Sequence, residues 1–305
     1  MVVIGNNTVM PFLYDIPTYL VIINKYMKIF LVAISLLFLS CGSDAHYIKI
    51  KGSDTEVNLV VQLAEEFHKT NPGFNVSISG GGSGLGIASL LNGQADIANS
   101  SRGMNVFEDS LFKKRNIKVD TFIFAQDAIA FIVSKYLPLD SVYTEDLAKI
   151  LSGKYSNWLE LTGKNLPINI YGRQSNSGTH DFVKQKLEIE FSPYAKEMIG
   201  NAQIIEAIKA DRSGIGYVGA GYARGTGVAN SKIKVLKIAS SKNNPAFSPL
   251  DEEAIAKNNY YFQRPLYQFI KKEVREKVAA FIAFESSDSG LSVIRSSGYY
   301  PVTFN

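Results

Sequence analysis

Ser79-Gly80-Gly81-Gly82-Ser83-Gly84-Leu85-Gly86 stands between an alternating apolar run and an apolar helical pattern. Five glycines in seven residues strip side chains from the place where a strand hands over to a helix. That leaves backbone N–H groups, the Ser83 hydroxyl and a helix N-terminus directed at one spot, an arrangement suited to an anion. A slack glycine loop without a ligand is the other reading. The stretch alone does not separate them.

Its neighbours define the fold class. Phe74, Val76 and Ile78 alternate with Asn75, Ser77 and Ser79, a half-buried strand, and Leu85 to Leu91 is a short helix stopped by Asn92-Gly93. Before them, Tyr47 to Lys51 alternates as a strand and ends in Gly52-Ser53-Asp54-Thr55, three residues of N-cap type after a glycine. Leu59, Val60, Leu63, Ala64 and Phe67 then mark one helical face, ended by Asn71-Pro72-Gly73. After them, Ala95 to Ala98 is a short strand ending in Asn99-Ser100-Ser101-Arg102. Strand and helix alternate throughout, which predicts an α/β protein.

In an open α/β sheet, ligands bind beyond the carboxyl ends of the strands, so Ser53, Ser83 and Ser101 fall on one rim. Singly, each serine reads as a helix cap. Three on one rim point to a site. The device recurs where Ile168 to Tyr171 runs into Gly172-Arg173-Gln174-Ser175-Asn176-Ser177-Gly178-Thr179-His180, followed by a helix with Phe182, Val183 and Leu187. Here it gains an arginine, whose planar fork of donors suits an oxyanion.

The rest of the chain fits the same class. Thr121 to Val133 is an apolar run interrupted by Gln126-Asp127, a strand that crosses between lobes. Thr144 reads as the cap of a helix through Ile150, and Trp158 as a packed loop anchor. Asn201 to Ala210 reads as a helix, Ile215 to Gly219 as a buried strand, and Ile233, Val235 and Ile238 as another. Pro265 to Ile270 is a further strand, Val274 to Phe284 an amphipathic helix, and Ser296 to Pro301 closes the chain.

With 305 residues, 46% hydrophobic and 20% charged, the composition is that of a globular protein of about two domains or one large one. A net charge of +4 without a basic run gives no sign of a nucleic-acid partner. Met27-Lys28 precedes an apolar run from Ile29 to Ser40 that ends at Cys41, the chain's single cysteine. The run fits a secretory signal and is short for a membrane span. It resembles a bacterial lipoprotein signal, which implies cleavage after Ser40 and lipid on Cys41. Residues 1–40 are therefore read as an upstream segment plus signal peptide, with Met27 as the start, and 41–46 as a lipidated linker.

No intramolecular disulfide is possible, and His46, His68 and His180 lack metal-ligand spacing. No lysine followed by Ser or Thr closes the glycine stretch as a nucleotide loop requires. No Gly-x-Ser-x-Gly elbow marks a hydrolase serine. His180 after Ser177 keeps a Ser–His hydrolase in view, but nothing supplies an activated nucleophile and base together.

Gly52-Ser53-Asp54-Thr55, Gly80-Gly81-Gly82-Ser83-Gly84, Asp96 to Arg102, Gly153-x-x-x-Asn157-Trp158, Arg173-x-x-x-Ser177-Gly178-Thr179 and Gly214 to Val218 follow in order. This set resembles the phosphate-binding proteins of bacterial phosphate-specific ABC importers. The likeness runs from about Tyr47 to Pro301. It implies a type II periplasmic-binding-protein fold, two α/β lobes joined by crossing strands with the ligand in the cleft. Lobe one would be 47–126 plus 262–305, and lobe two 127–261. By motif, Ser53, Asp54, Thr55, Ser83, Ser101, Arg173, Ser177, Gly178 and Thr179 would surround inorganic phosphate. No cofactor or metal is implied. The resemblance further implies ABC permease membrane subunits as partner, a monomer, and a place in the periplasmic space or at the cell surface, held by lipid (palmitate) on Cys41.

One departure bears on selectivity. Where many members of that family carry an aspartate that accepts the proton of hydrogen phosphate, this chain has Ser101. Sulfate carries no proton near neutral pH and needs only donors, whereas phosphate also needs an acceptor. Asp54 and, after it, Asp127 are the expected acceptors. A binding protein for sulfate or molybdate is the first alternative; a phosphoester hydrolase and a surface adhesin are the others.

Overall fold

The computed structural model describes residues 46–225 and 232–302, all within the compact unit His46–Asn305. The signal segment and Cys41 lie outside the described residues.

The twelve strands among the described residues are β1 (His46–Gly52), β2 (Phe74–Ser79), β3 (Ile97–Ser100), β4 (Val119–Ser134), β5 (Ser141–Tyr143), β6 (Asn169–Arg173), β7 (Lys196–Met198), β8 (Gly214–Gly219), β9 (Ile233–Val235), β10 (Lys237–Ala239), β11 (Gln263–Lys271) and β12 (Tyr300–Pro301). Ten of them form one mixed sheet in the order β2-β1-β3-β11-β4-β8-β6-β7, with β9 and β12 also paired to β4. β1 runs parallel to β2 and β3, joined by the helices Val57–Thr70 and Ser83–Leu91. β3 is buried throughout, whereas β1 and β2 are covered on one face only, their Lys, Asn and Ser residues alternating outward.

β4 spans the sheet. Its first part pairs antiparallel with β11 and its second with β8, so the partner changes beside Asp127 and Ala128. From Ala128 to Ser134 every residue is buried. The strand read as 121–133 is thus a 16-residue strand with its polar interruption at the exchange of partners.

The apolar clusters follow the same division. One gathers Ile48, Leu59, Leu63, Phe67, Leu266 and Phe281 between the sheet and the helices Val57–Thr70 and Arg275–Glu285. Another gathers Phe131, Leu147, Trp158, Val183, Tyr217 and Phe262. The five helical-face residues expected from Leu59 to Phe67 are the buried face of the first helix. Trp158 is fully buried, its indole N–H donating to the Ser213 carbonyl at 2.8 Å, an anchor as expected.

Four local readings change. Ser53, Asp54 and Thr55 do not cap the following helix; its N-cap position is Glu56, without a side-chain cap. Tyr143 rather than Thr144 holds the cap position of the helix Thr144–Leu151, and the Thr144 hydroxyl donates to the Ser240 carbonyl instead. The segment from Ile233 to Ile238 is two strands, because β9 pairs with β4 while β10 pairs with β5. Two further helices, Val106–Lys114 and Asp288–Ser296, gave no clear signal in the sequence.

Candidate anion-binding site

Four strand ends converge. Ser53 follows β1, Ser83 opens the helix after β2, Ser101 follows β3, and Arg173 ends β6 before the helix Gly178–Leu187. The Ser53 hydroxyl donates to Ser101 Oγ at 3.1 Å, and Ser83 Oγ lies 3.4 Å from Ser101 Oγ. The Ser101 N–H donates to Ser83 Oγ at 3.1 Å. Thr55 and Thr179 bring their hydroxyls to 3.0 Å. All five side chains are buried. Residues 53 to 179 in sequence thus meet as one cluster of hydroxyls.

Gly178 is where these hydroxyls point. A Cβ there would collide with Ser83 Oγ and lie 2.6 Å from Ser101 Oγ, so only a bare backbone fits. Ser177 caps the helix, its Oγ accepting the Thr179 N–H at 3.2 Å. The N-terminus of a ten-residue helix therefore aims its free N–H groups and dipole at the cluster.

Arg173 supplies charge. It is 2% exposed, and its Nη2 donates to the Ile199 carbonyl at 2.9 Å. Its Nε and Nη1 are buried without a hydrogen-bond partner. Nη1 lies 3.4 Å from Asp54 Oδ2, which also accepts from the Asn201 backbone N–H at 3.0 Å and its side-chain amide at 2.9 Å. Burial pulls the Arg173 pKa down, and Asp54 opposes that. Two unpaired donors on a buried cation are costly unless an acceptor meets them. An oxyanion is such an acceptor.

Sequence reasoning missed a second buried arginine. Arg264 on β11 pairs with Asp127 Oδ2 through Nε at 3.2 Å and Nη2 at 2.9 Å. Its Nη1 donates to the Ser101 carbonyl at 3.1 Å and Nη2 to Thr179 Oγ1 at 3.0 Å. It ties β3, β4 and the start of the Gly178–Leu187 helix together behind the hydroxyl cluster. The signal was Asp127 itself, since a carboxylate inside an apolar strand calls for a cation nearby. Asn201 and Tyr222 were missed as well; the Tyr222 hydroxyl donates to the Asp54 carbonyl at 2.9 Å.

The two expected proton acceptors differ in their surroundings. Both Asp127 oxygens accept hydrogen bonds, Oδ1 from the Ala220 N–H at 3.3 Å and Oδ2 from Arg264. Burial pushes Asp127 upward against the pull of Arg264. Asp54 uses Oδ2 for Asn201 and Arg173, while no hydrogen bond among the described residues reaches Oδ1.

The glycine stretch packs differently from the expectation of amides aimed at a ligand. The Gly82 N–H donates to the Gly52 carbonyl at 2.9 Å and the Gly84 N–H to the Asn176 carbonyl at 3.1 Å. The Asn176 side chain in turn donates to the Gly81 carbonyl at 3.0 Å. Gly82 has φ +103°, and a Cβ there would lie 2.9 Å from the Asn176 carbonyl oxygen. The glycines let the Arg173–Thr179 segment come close, and Ser83 is the group they deliver to the cluster. His180 is half-buried against Phe191, with ring centroids 4.5 Å apart.

With this geometry in hand, comparison with known proteins adds the lineage. The family described as "PBP superfamily domain" matches residues 40–289. The chain belongs to the PBP superfamily. A phosphate-binding protein PstS of Borreliella burgdorferi is 30% identical over 282 residues, covering 89% of this chain and 96% of that protein. Among solved PBP-type structures, a substrate-binding protein with bound phosphate from Clostridium perfringens superposes with TM-score 0.74 at 23% identity, covering 84% of this chain and all (100%) of that one. An ABC-type phosphate transport receptor from Vibrio cholerae superposes with TM-score 0.65 at 25% identity, over 84% of this chain and 100% of its own. The α/β fold expected from alternating strands and helices is the PBP fold.

Proposed function

We propose that the chain is an extracytoplasmic binding protein that takes up inorganic phosphate and delivers it to an ABC permease. One observation carries the reading: Arg173, buried with Nε and Nη1 free of hydrogen bonds, ends the strand whose following helix opens at the cluster of strand-end hydroxyls. Such a set holds a tetrahedral anion by charge and by many short hydrogen bonds at once. Ser53, Thr55, Ser83, Ser101, Arg173, Ser177, Gly178 and Thr179 supply the donors. Related proteins carrying the PstS name support phosphate as the anion.

The site binds rather than turns over. Ser177 Oγ serves as a helix cap, and the His180 ring packs at a tilt against Phe191, so no hydrogen bond joins the two as a nucleophile and its base need. Asp54 receives the ligand proton, because its Oδ1 remains open while Asp127 is held by Arg264 and Ala220.

Two lobes, 47–126 plus 262–305 and 127–261, close on the ligand. The separate apolar clusters and the change of partner along β4 support that division. The protein acts as a monomer anchored by lipid on Cys41; among the described residues no helix is long and apolar enough to cross a membrane. Ser101, a hydroxyl rather than a carboxylate, favours a second reading in which sulfate is the ligand.

Calorimetric titration with phosphate and with sulfate at several pH values, on protein starting near Gly42, tests the proposal. Phosphate should bind more tightly than sulfate, and Arg173→Ala should abolish binding. Equal or tighter sulfate binding would sink the choice of phosphate.

A further inference from the structure

Below the hydroxyl cluster lies a group of buried acids and amides that ligand binding does not use. Glu56, directly after Thr55, is 0% exposed, and its N–H donates to the Ser53 carbonyl at 3.2 Å. Neither of its side-chain oxygens has a hydrogen-bond partner. Glu285, at the end of the helix Arg275–Glu285, is also buried. Its Oε1 accepts from Gln268 at 2.9 Å, while Oε2 has no partner. Asn99 Oδ1 and Gln268 Oε1, on residues opposite each other in the β3–β11 register, are unmatched too.

Every unmatched atom in this group is an acceptor oxygen. Two ionised carboxylates would add charge to a place already short of donors. A proton on each acid instead turns one acceptor into a donor.

The surroundings of Glu56 agree. Ser53 on its own loop, Arg264 on β11, Asp127 on β4, Glu285 on its helix and Tyr299 near the C-terminus are the polar and charged groups that face it. Arg264 favours ionisation but is engaged by Asp127; Asp127 and Glu285 oppose it. Burial pushes Glu285 up to about 8 and Glu56 well above the usual carboxyl range. Glu56 is held within one turn of Ser53 by its own N–H on the Ser53 carbonyl at 3.2 Å, and the Ser53 hydroxyl gives its proton to Ser101 Oγ at 3.1 Å.

We propose that Glu56 is a positioning residue that stays an uncharged acid beneath the pocket and, presenting its proton to Ser53 from behind, keeps the Ser53 hydroxyl directed at Ser101 and the bound anion. This rests on the phosphate reading of the pocket. When Glu56 loses its proton, the carboxylate competes for the Ser53 proton. A donor then turns away from the anion, and a negative charge arises close behind it. Anion affinity is thereby tied to the protonation of a group that never touches the ligand.

Phosphate titrations of wild type and Glu56→Gln in parallel, from neutral to alkaline pH, test this. The ratio of the two affinities cancels the ionisation of phosphate itself. Wild type should lose on the order of tenfold more affinity than Glu56→Gln across that range, the effect of one partly screened charge nearby. A constant ratio, whether or not the variant binds more weakly, would overturn the proposal. Infrared spectra give a readout independent of the variant's folding. Wild type at neutral pH should show carbonyl bands of buried carboxylic acids, and one should persist in Glu285→Gln. Absence of any such band in Glu285→Gln would also overturn it. Failure of wild type to bind phosphate at any pH would instead count against the pocket reading.

Discussion

Asp127 and Arg264 sit opposite each other in the antiparallel register of β4 and β11, and the Arg264 fork places Nε and Nη2 at 3.2 and 2.9 Å from Asp127 Oδ2. Both side chains are almost fully buried. The pair lies where β4 exchanges one partner strand for another, and its remaining donors reach Ser101 and Thr179. Register, strand exchange and pocket wall thus meet in one ion pair.

Removing both members should therefore cost less than the two single losses added together. Arg264→Met leaves a buried carboxylate without a cation and should destabilise by about 3–5 kcal/mol. Asp127→Leu combined with Arg264→Met should lose clearly less than the sum of the single changes. Urea unfolding of the two single variants and the double variant measures this; additive losses would show that the pair is not coupled.

Arg173→Lys keeps the charge but loses the fork. The two unpaired donors, Nε and Nη1, cannot both be replaced by one ammonium group. A charged hydrogen bond contributes about 1.5–3 kcal/mol, so phosphate affinity should fall at least about tenfold. Calorimetry comparing this variant with wild type gives the answer, and an unchanged affinity would mean that charge alone suffices.

Gly178→Ala places a methyl group among Ser83 and Ser101. Overpacking of this kind costs about 1–3 kcal/mol. The variant should unfold at lower urea concentration and bind phosphate poorly. Adding Ser83→Ala should restore part of the stability by opening space, which denaturation curves of both proteins would reveal.

Asp54→Asn should weaken phosphate more than sulfate. The change keeps the shape but weakens the open Oδ1 as a proton acceptor and removes the charge beside Arg173. Parallel losses for the two anions would remove Asp54 from the acceptor role.

Glu285 makes stability depend on pH. Its folded pKa, about 8, lies above the ordinary value of 4.5, so the folded state holds the proton more tightly than the unfolded chain. The stabilisation is fully present below about pH 4.5 and is lost as pH rises toward and through about 8. Glu285→Gln should remove this slope and gain a few kcal/mol relative to wild type between those limits. Unfolding midpoints at a series of pH values test it.

Much of the fold was legible because it is local. The helical spacing of Leu59 to Phe67 named the buried face, and alternation in Phe74 to Ser79 named a strand. The helix Val106–Lys114 escaped notice because it buries only Phe112 and leaves Val106 and Phe107 exposed, so no apolar stripe marks it. The helix Asp288–Ser296 opens Asp288-Ser289-Gly290, a composition that reads as a turn. At the site, the hydroxyl-rich strand ends and Arg173 showed themselves as motifs. Arg264, Asn201 and Tyr222 did not, because they reach Ser101 and Asp54 across sequence separations of 163, 147 and 168 residues. Periodicity carries no information over such distances. Glu56 was hidden for another reason: in sequence it is one acid at a helix start, and only full burial makes it unusual.

Tyr299, three residues from the end of the described chain, donates its hydroxyl to the Thr55 carbonyl at 2.5 Å, a contact separated by 244 residues. Tyr222 holds the neighbouring Asp54 carbonyl in the same way. The loop after β1 is thus fastened by tyrosines 168 and 244 residues further along the chain. Contacts of such long range form late and slowly, since the loop must close before anything is gained. Strands and helices with local contacts can form first, but the loop bearing Ser53 and Thr55 acquires its full set of contacts only once Tyr222 and Tyr299 have come to it. Binding competence should accordingly lag behind the local structure during folding, until these long loops have closed.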